Sequence, residues 1–385
     1  MGLAIIIDGV DFSNKRRGKI NTEYTDTKSI KIKTLNVDKT FVQLRTKFIP
    51  PYGADRSVTW SVVDGGNFAS IDATGKLTIV ADTFNQKVKV RSMLNANSSI
   101  KDELSIYITY EYDDDHIIQF ESNWVKEQML KLLKLTEVGE ITVGQAKAWT
   151  GNFGNAFYNK KVDNFGFKEL RFFSYKLYDR GISRVPVTSL YIPKGLNVVP
   201  ATTCNYCQVL SELNLADALE VGEPDGTGGT FHNTALSNVD FHNIKKMYYS
   251  FRLCNFVNVV LPNTIEIFVE SFTINSSLRT FKIEDGGTKP LTVNSTFKEL
   301  PSLELVDLPS NLVALGSEMF YNSAKNSITF VCRAVTPPSG LDGLGFRRNL
   351  VAIYVPDESV DTYKATAGWS AQSDKILPLS QYVEK

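Results

Sequence analysis

The chain has 385 residues, of which 43% are hydrophobic and 22% are charged, a composition typical of folded proteins and not of disordered ones. Its 42 basic residues equal its 42 acidic residues, so net charge favours neither nucleic acid nor an anionic membrane as a partner. No apolar stretch reaches the roughly 18 residues of a membrane span, and no basic residue precedes the apolar run 3–7 as a secretory signal requires. Two or three domains are therefore expected, without membrane insertion or export by a standard signal.

Residues 1–26 are expected to be a separate anchor segment. The apolar residues 5–7 and Val10-Asp11-Phe12 precede a basic cluster at 15–17, and the whole is too short to build a core. Such a peptide can dock on a partner protein by adding a strand to its sheet. A frayed extension is the alternative interpretation.

Residues 27–112 show short runs in which apolar and polar residues alternate. Turn-forming clusters separate these runs every eight to twelve residues, which predicts an antiparallel β-sandwich of the immunoglobulin type. Trp60 is the expected anchor of its core. The apolar runs fall at 30–32, 42–48, 58–62, 77–80, 88–90 and 104–108.

The sequences VTWS at 58–61 and ASIDATGKL at 69–77 resemble a tryptophan strand and a turn of the bacterial Ig-like domain, group 2. The resemblance covers about eighty residues. It implies a spacer or adhesive module of the kind found on surface proteins and phage virions.

Residues 113–180 are expected to be a linker followed by a helical and aromatic cap. The acidic run 111–115 favours a solvated linker over a calcium cluster. Apolar residues at helical spacing predict a helix over 124–133, and 140–146 predicts the start of another. The aromatic residues of 149–178 are expected to cover the first coil of the following repeat domain.

The sequence FKELRFF at 167–173 resembles a phrase from the lead-in of Bacteroides-type surface repeat proteins. Many of those proteins carry a calcium loop before this phrase. Here residues 132–139 lack the spaced Asp and Asn ligands that calcium needs, so no calcium is expected.

A phrase of the form apolar-x-x-apolar-x-apolar recurs eight times from residue 187 onward, at intervals of 20 to 26 residues. This interval is typical of leucine-rich coils, each of which is expected to add one strand to a parallel sheet. A solenoid is therefore predicted over 181–385. The phrases begin at Val187, Leu210, Leu236, Phe256, Leu278, Leu303, Ile328 and Leu350, and the seventh, which ends in Arg333, is degenerate.

Residues 117–385 resemble the BspA-like leucine-rich-repeat family. The resemblance rests on a proline after four of the strands, on LELVDLPSNL at 303–312, and on the ending that runs from YVPD at 354–357 to Trp369. It implies surface adhesion and recognition of proteins or glycans, not catalysis. It also implies that Trp369 closes the solenoid as a cap residue.

Strand alternation predicts which side chains of the solenoid face outward, and stacked strands about 4.8 Å apart would arrange them in ladders. The tyrosine, amide, charged and threonine members of both ladders are the candidate contacts for a glycan or protein. The alternative interpretation is a solvated surface without a ligand. The first ladder is Tyr191, Asn214, Asp240, Val260, Lys282, Asp307, Cys332 and Tyr354. The second ladder is Ser189, Glu212, Asn238, Asn258, Thr280, Leu305, Phe330 and Ala352.

Catalytic and metal chemistry are not expected. Cys204 and Cys207 form a CxxC, but no further ligands follow at a zinc spacing, so buried thiols are favoured over a metal site. None of the three histidines lies in a nucleophile motif, and no phosphate or dinucleotide fingerprint occurs. A carboxylate pair for sugar hydrolysis stays open, because such pairs have no characteristic spacing. No cofactor is expected.

An adhesin-like architecture without a secretion signal favours a phage virion protein, assembled in the host cytoplasm and released by lysis. The opening segment also resembles N-termini of structural proteins from Bacteroidales phages. The expected protein is a tail or head fibre, a homo-oligomer held to other virion proteins through residues 1–26 and binding a host glycan or protein. The alternatives are a bacterial surface adhesin and a virion docking subunit without host contact.

Overall fold

The structure, a computed structural model, divides into two compact units, Met1–His116 and Ile117–Lys385. Within the parts of the chain that it describes, no helix is long and apolar enough to cross a membrane. The described residues are 2–8, 28–33, 41–49, 57–80, 86–96, 98, 101–135, 139–173, 181–225, 228–294, 297–316, 319–324, 328–340 and 350–383.

The first unit contains two four-stranded sheets, of order β1-β3-β6-β5 and β2-β8-β7-β4. The predicted alternating strands are present and pair antiparallel, except that β2 pairs parallel with β8. The parallel pair was not predicted. The strands are β1 (Gly2–Asp8), β2 (Lys28–Lys33), β3 (Phe41–Ile49), β4 (Val58–Asp64), β5 (Ala69–Ile71), β6 (Lys76–Ile79), β7 (Gln86–Leu94) and β8 (Lys101–Glu111).

Strand β1 lies inside the segment predicted to be a separate anchor. It pairs antiparallel with β3 of the same chain, from Gly2 opposite Ile49 to Asp8 opposite Gln43. Residues 2–8 are therefore a strand of the first unit in this structure. Residues 9–26 lie outside the described residues, and the attachment role of 1–26 stays a prediction.

The core of the first unit is apolar, and the tryptophan expected to anchor it lies at its margin. Leu44, Leu77 and Val90 are fully buried, whereas Trp60 is only partly buried and packs against that core. Trp60 lies on β4, the last strand of its sheet, so no neighbouring strand covers one side of it. Its ring instead approaches Gly75, where φ is +81° and a Cβ atom would lie 3.0 Å from the indole.

The second unit begins with two short helices, α1 (Asn123–Leu133) and α2 (Val143–Ala148), which confirms both predicted helices. Ser122 caps α1 by accepting a hydrogen bond from the backbone N–H of Val125. Thr142 and Gln145 form a reciprocal capping box at the start of α2, which satisfies two N–H groups that a helix leaves unpaired.

The remainder of the second unit is a parallel β-solenoid of about 8 turns. Most coils place one strand in a front sheet and another in a rear sheet, whereas one strand per coil was predicted. The front sheet comprises β12-β10-β9 and β15-β17-β19-β21-β22-β23, and the rear sheet is β11-β13-β14-β16-β18-β20. The strands are β9 (Phe165–Phe167), β10 (Val187–Tyr191), β11 (Val198–Val199), β12 (Glu212–Asn214), β13 (Glu220–Val221), β14 (Lys246–Tyr248), β15 (Asn258–Leu261), β16 (Ile267–Val269), β17 (Thr280–Ile283), β18 (Leu291–Asn294), β19 (Leu305–Leu308), β20 (Leu312–Leu315), β21 (Ile328–Cys332), β22 (Leu350–Val355) and β23 (Ile376–Pro378).

Aromatic side chains fill the solenoid and close its ends. Phe251 stacks on Phe272 of the next coil, with ring centroids 5.5 Å apart. At the C-terminal end, α3 (Val360–Ala365) precedes Trp369, which is fully buried and stacks on Phe330. The indole N–H donates to the carbonyl oxygen of Pro338 at 3.2 Å. Trp369 is therefore a cap residue, as predicted.

Each coil turns at a corner that repeats along the solenoid. One residue per coil adopts a left-handed backbone conformation there, and at every corner before that of Asn322 its N–H bonds to a carbonyl of the following coil, as from Arg184 to Asn205 at 2.9 Å. These corner residues are not glycines, so each must tolerate a sparsely populated conformation. The corner residues are Arg184, Tyr206, Asn233, Leu253, Ile274, Glu299 and Asn322, with φ values between 54° and 64°.

A small polar side chain lies directly behind this corner in several coils. Cys207 donates from Sγ to the carbonyl of Ile182 at 2.8 Å, and Asn275 donates from Nδ2 to the carbonyl of Phe251 at 2.8 Å. Ser323 occupies the same position farther along and bonds to the carbonyl of Phe297. These bonds join neighbouring coils where no strand ladder exists.

The thiols are buried within this arrangement, as predicted. All four cysteines are free and buried, and burial raises the pKa of Cys204 above its usual value and that of Cys254 to about 11. The described residues contain no group of three or more His, Cys, Asp or Glu side chains placed to hold a metal ion.

Candidate recognition face

The outward side of the front sheet carries the candidate site, but its ladders differ from the predicted ones in the seventh coil. Phe330 and Cys332 were predicted to face outward, and both are fully buried. In the pairing of β19 with β21, Phe330 lies beside Val306 and Cys332 beside Leu308, one residue out of phase with the predicted phrase. The predicted register of this coil was wrong because the phrase assigned Arg333 to an apolar position.

The corrected ladders follow the strand register of β15, β17, β19, β21 and β22. Two of their members add little to the surface, because Val331 in the first ladder is fully buried and Ala352 in the second is 7% exposed. The first ladder is Val260, Lys282, Asp307, Val331 and Tyr354. The second ladder is Asn258, Thr280, Leu305, Thr329 and Ala352.

The ladders do not run the full length of the solenoid, contrary to the prediction. Asn238 and Asp240 are exposed, but they lie in the described residues 228–245, which contain no strand and so add none to the front sheet. Asp240 accepts a hydrogen bond from the N–H of His242 at 3.1 Å, which fixes it in a turn. The predicted site therefore separates into a first cluster around β10 and a second cluster on β15, β17, β19, β21 and β22.

The first cluster is a packed network rather than an open surface. Tyr191 donates its hydroxyl to Glu212 at 2.5 Å, and Lys168 Nζ lies 2.9 Å from the same carboxylate. The guanidinium of Arg171 lies over the Tyr191 ring at 5.6 Å. Tyr191 is consequently 6% exposed, although alternation alone placed it on the outside. Sequence reasoning missed Lys168 and Arg171 because the phrase that carries them precedes the first predicted repeat.

Two further polar residues near the first cluster bond to backbone groups of the protein itself. Asn214 is 8% exposed, and its Oδ1 accepts from the N–H of Ala216 at 2.8 Å. Glu169 is buried and accepts from the N–H of Glu121 at 3.0 Å. Burial raises the pKa of the Glu169 carboxyl above its usual value. Neither side chain is presented to a ligand.

The second cluster presents cations over a buried carboxylate. Asp307 is 1% exposed because Arg333 binds it through Nε at 2.8 Å and Nη2 at 2.9 Å. Lys282 Nζ lies 3.8 Å from Oδ2 of the same carboxylate. Asp307 was predicted to be an outward contact and Arg333 a degenerate core position, whereas Asp307 is buried and Arg333 covers it. The face consequently presents the guanidinium and the ammonium.

Around these cations the second cluster is open and chemically mixed. Val260 is 55% exposed, and Thr280 donates to the side-chain oxygen of Asn258 at 2.7 Å. At the C-terminal end Tyr354 lies against Tyr382, with ring centroids 5.2 Å apart. Apolar, hydroxyl, amide, aromatic and cationic groups thus share one surface. Such a surface suits recognition.

The fold and this face define a β-solenoid of leucine-rich-repeat type. Residues 178–289 and 227–336 match the family model of the BspA type leucine rich repeat region, in six copies. The predicted family resemblance is therefore confirmed for these coils. A search of curated proteins found none that matches the chain.

Proposed function

We propose that this chain is a non-enzymatic binding protein whose second cluster recognises a protein or glycan on a cell surface. The observation that carries the proposal is the continuous register of β15, β17, β19, β21 and β22, which places Val260, Lys282, Thr280 and Tyr354 on one face. Exposed apolar and aromatic groups beside oriented donors are the usual components of recognition surfaces. The BspA-type repeats of the same coils favour this role.

The first unit would act as a spacer of bacterial Ig-like type, with residues 1–26 as the attachment to other virion proteins. In this proposal the chain is a homo-oligomeric tail or head fibre of a phage. The alternatives are a bacterial surface adhesin and a structural docking subunit of the virion. Probing purified phage particles for the chain distinguishes a virion protein from a bacterial adhesin. Particles that lack the chain contradict both virion proposals.

The face is tested with two variants that carry the same substitution on opposite sheets. Val260→Asp changes the second cluster on the front sheet, where Val260 is 55% exposed, and Val313→Asp is its control on the rear sheet, where Val313 is 47% exposed. Binding of the fluorescently labelled full chain to host-type cells, and to their purified capsular glycan, is measured to saturation. Val260→Asp is expected to weaken binding tenfold or more and Val313→Asp to leave it unchanged. Equal effects of the two variants, or no saturable binding by the unmodified chain, contradict the proposal.

A further inference from the structure

We propose a second binding site for an acidic glycan at the solenoid corner, separate from the front sheet. It is formed by a corner cluster, which we define as Arg184, Asn205, Tyr206, His232 and Arg252. These residues come from four successive coils. Nothing in the proposed front-sheet function requires them, so the two proposals stand or fall independently.

Backbone hydrogen bonds bring the members of the corner cluster side by side. The N–H of Tyr206 donates to the carbonyl of His232 at 2.8 Å, and the N–H of Asn233 donates to the carbonyl of Arg252 at 2.9 Å. The Arg184 guanidinium lies over the Tyr206 ring at 5.3 Å, and the Tyr206 ring lies 5.1 Å from that of His232. The side chains thus form a row along the solenoid, with Tyr206 41% exposed.

Two polar atoms of this row are buried without a hydrogen-bond partner among the described residues: Nε of Arg252 and Oδ1 of Asn205. Buried polar atoms in folded proteins are nearly always paired, so such atoms point to a partner supplied from outside the chain. One is a donor on a cation and the other is an acceptor. A ligand that offers both an anionic oxygen and a hydrogen-bond donor would satisfy the two atoms together.

The arginines of the corner cluster also differ from others in the molecule. Arg91, Arg279 and Arg333 each lie within ion-pair distance of a carboxylate. No described carboxylate lies within that distance of Arg184 or Arg252. Burial and the neighbouring Arg252 lower the pKa of the His232 imidazole, so the positive charge of the row comes from its arginines. The row is therefore cationic at neutral pH.

A uronic-acid chain fits this combination of groups. A guanidinium binds a carboxylate through paired hydrogen bonds, and each sugar ring bears hydroxyl groups that can donate to Oδ1 of Asn205. Arg184 and Arg252 stand three coils apart, roughly 14 Å at about 4.8 Å per coil. One small anion cannot span that distance, whereas a chain with repeated carboxylates can. An acidic peptide has the charges but fewer hydroxyl donors.

The test measures binding of the full chain to polygalacturonate by isothermal titration calorimetry, with neutral dextran and poly-glutamate as comparison polymers. Saturable binding to polygalacturonate that weakens with added salt is expected, with none to dextran and weaker binding to poly-glutamate. Arg252→Gln is expected to weaken binding at least tenfold. Arg252→Lys is expected to restore little, because lysine keeps the charge but not the planar fork.

Arg279→Gln is the matched control, since it removes the same charge from the solenoid at a side chain that is 60% exposed and lies 3.6 Å from Glu304. This variant is expected to bind as the unmodified chain does, and thermal unfolding verifies that all variants fold. The proposal is overturned by absence of polygalacturonate binding, by equal losses in Arg252→Gln and Arg279→Gln, or by full rescue in Arg252→Lys. Tighter binding of poly-glutamate than of polygalacturonate would assign the corner cluster to acidic peptides instead.

Discussion

The two units differ in how they satisfy the hydrogen-bonding groups of their buried backbone. In the described part of the first unit the core is apolar, and Ser92 is its one buried polar side chain. The solenoid buries many more, because its chain turns at a corner in every coil and leaves carbonyl and N–H groups without a strand partner there. Its buried polar side chains include Thr203, Thr230, Ser250, Ser271, Asn275 and Ser323.

This difference indicates which substitutions should destabilise each unit. A sheet pair satisfies its backbone along strand ladders, so its stability depends mainly on apolar packing. A solenoid depends also on specific polar side chains, and on caps at its ends that shield the last coil. Substitutions of similar size should therefore have unequal consequences in the two units.

The largest effect is expected from removing the solenoid cap. Trp369→Ala deletes a fully buried side chain and its hydrogen bond, and should lower the free energy of unfolding of the second unit by about 3–5 kcal/mol. The matching change Trp60→Ala in the first unit should cost about 1–2 kcal/mol, since that ring is only partly buried. Scanning calorimetry, with each unit assigned its own transition, measures both. Equal losses of stability in the two variants would contradict the expected difference between the cap residue Trp369 and the partly buried Trp60.

A smaller effect is expected at the buried corner amide. Asn275 donates to the carbonyls of Phe251 and Phe272 at 2.8 and 2.7 Å and accepts from the N–H of Cys254 at 2.9 Å. Asn275→Ala leaves these groups unsatisfied, so a loss of about 2–4 kcal/mol is expected in urea unfolding. Asn258→Ala, at an exposed position of the front sheet, serves as the control and should change stability by less than about 0.5 kcal/mol. A corner loss no larger than the control would show that solvent replaces these bonds.

The smallest effect is expected from an ion pair of the first unit. The pKa of Glu103 is lowered to about 2 by Lys89, at 2.7 Å, and by Arg91, at 2.6 Å. Because the folded pKa lies below the unfolded value near 4.5, the stabilisation is present above about pH 4.5 and disappears as pH falls toward 2. Glu103→Gln should therefore destabilise the first unit by at most about 1 kcal/mol at pH 7, since the pair is partly solvated.

Near pH 2 the Glu103→Gln variant and the unmodified chain should unfold alike in urea. Glu304→Gln, which removes a looser pair at 3.6 Å from the solenoid, should give a difference below about 0.5 kcal/mol at either pH. A Glu103→Gln difference that persists at pH 2 would show that packing, not charge, accounts for it.

Much of the solenoid could be predicted from the sequence, because the spacing of its apolar residues indicates both the fold and the side chains that point inward. Val259, Phe281 and Val306 are buried neighbours in the front sheet, as the phrase predicted. The rear sheet was missed, although apolar pairs such as Leu312 and Leu315 recur between the phrases. Those strands are short, and their side chains repeat with less regularity than the phrase.

The site was less predictable than the fold, because exposure depends on neighbours that alternation cannot supply. Tyr191 and Asp307 occupy outward positions, yet arginine and lysine side chains from other coils cover them. A single residue that breaks the pattern, Arg333, was enough to shift one strand by one position and to turn Phe330 and Cys332 the wrong way. Register follows from pairing across coils, which one sequence does not reveal.

The bonds between coils run along the solenoid axis, and this direction has a mechanical consequence. A pulling force applied between the two ends of the second unit loads the ladder between neighbouring coils one bond after another, as in a zipper. Coils should then peel from an end at low force, each releasing its 20 to 26 residues of chain in a discrete step of about 70–90 Å. The solenoid would lengthen under tension in increments and act as an extensible tether.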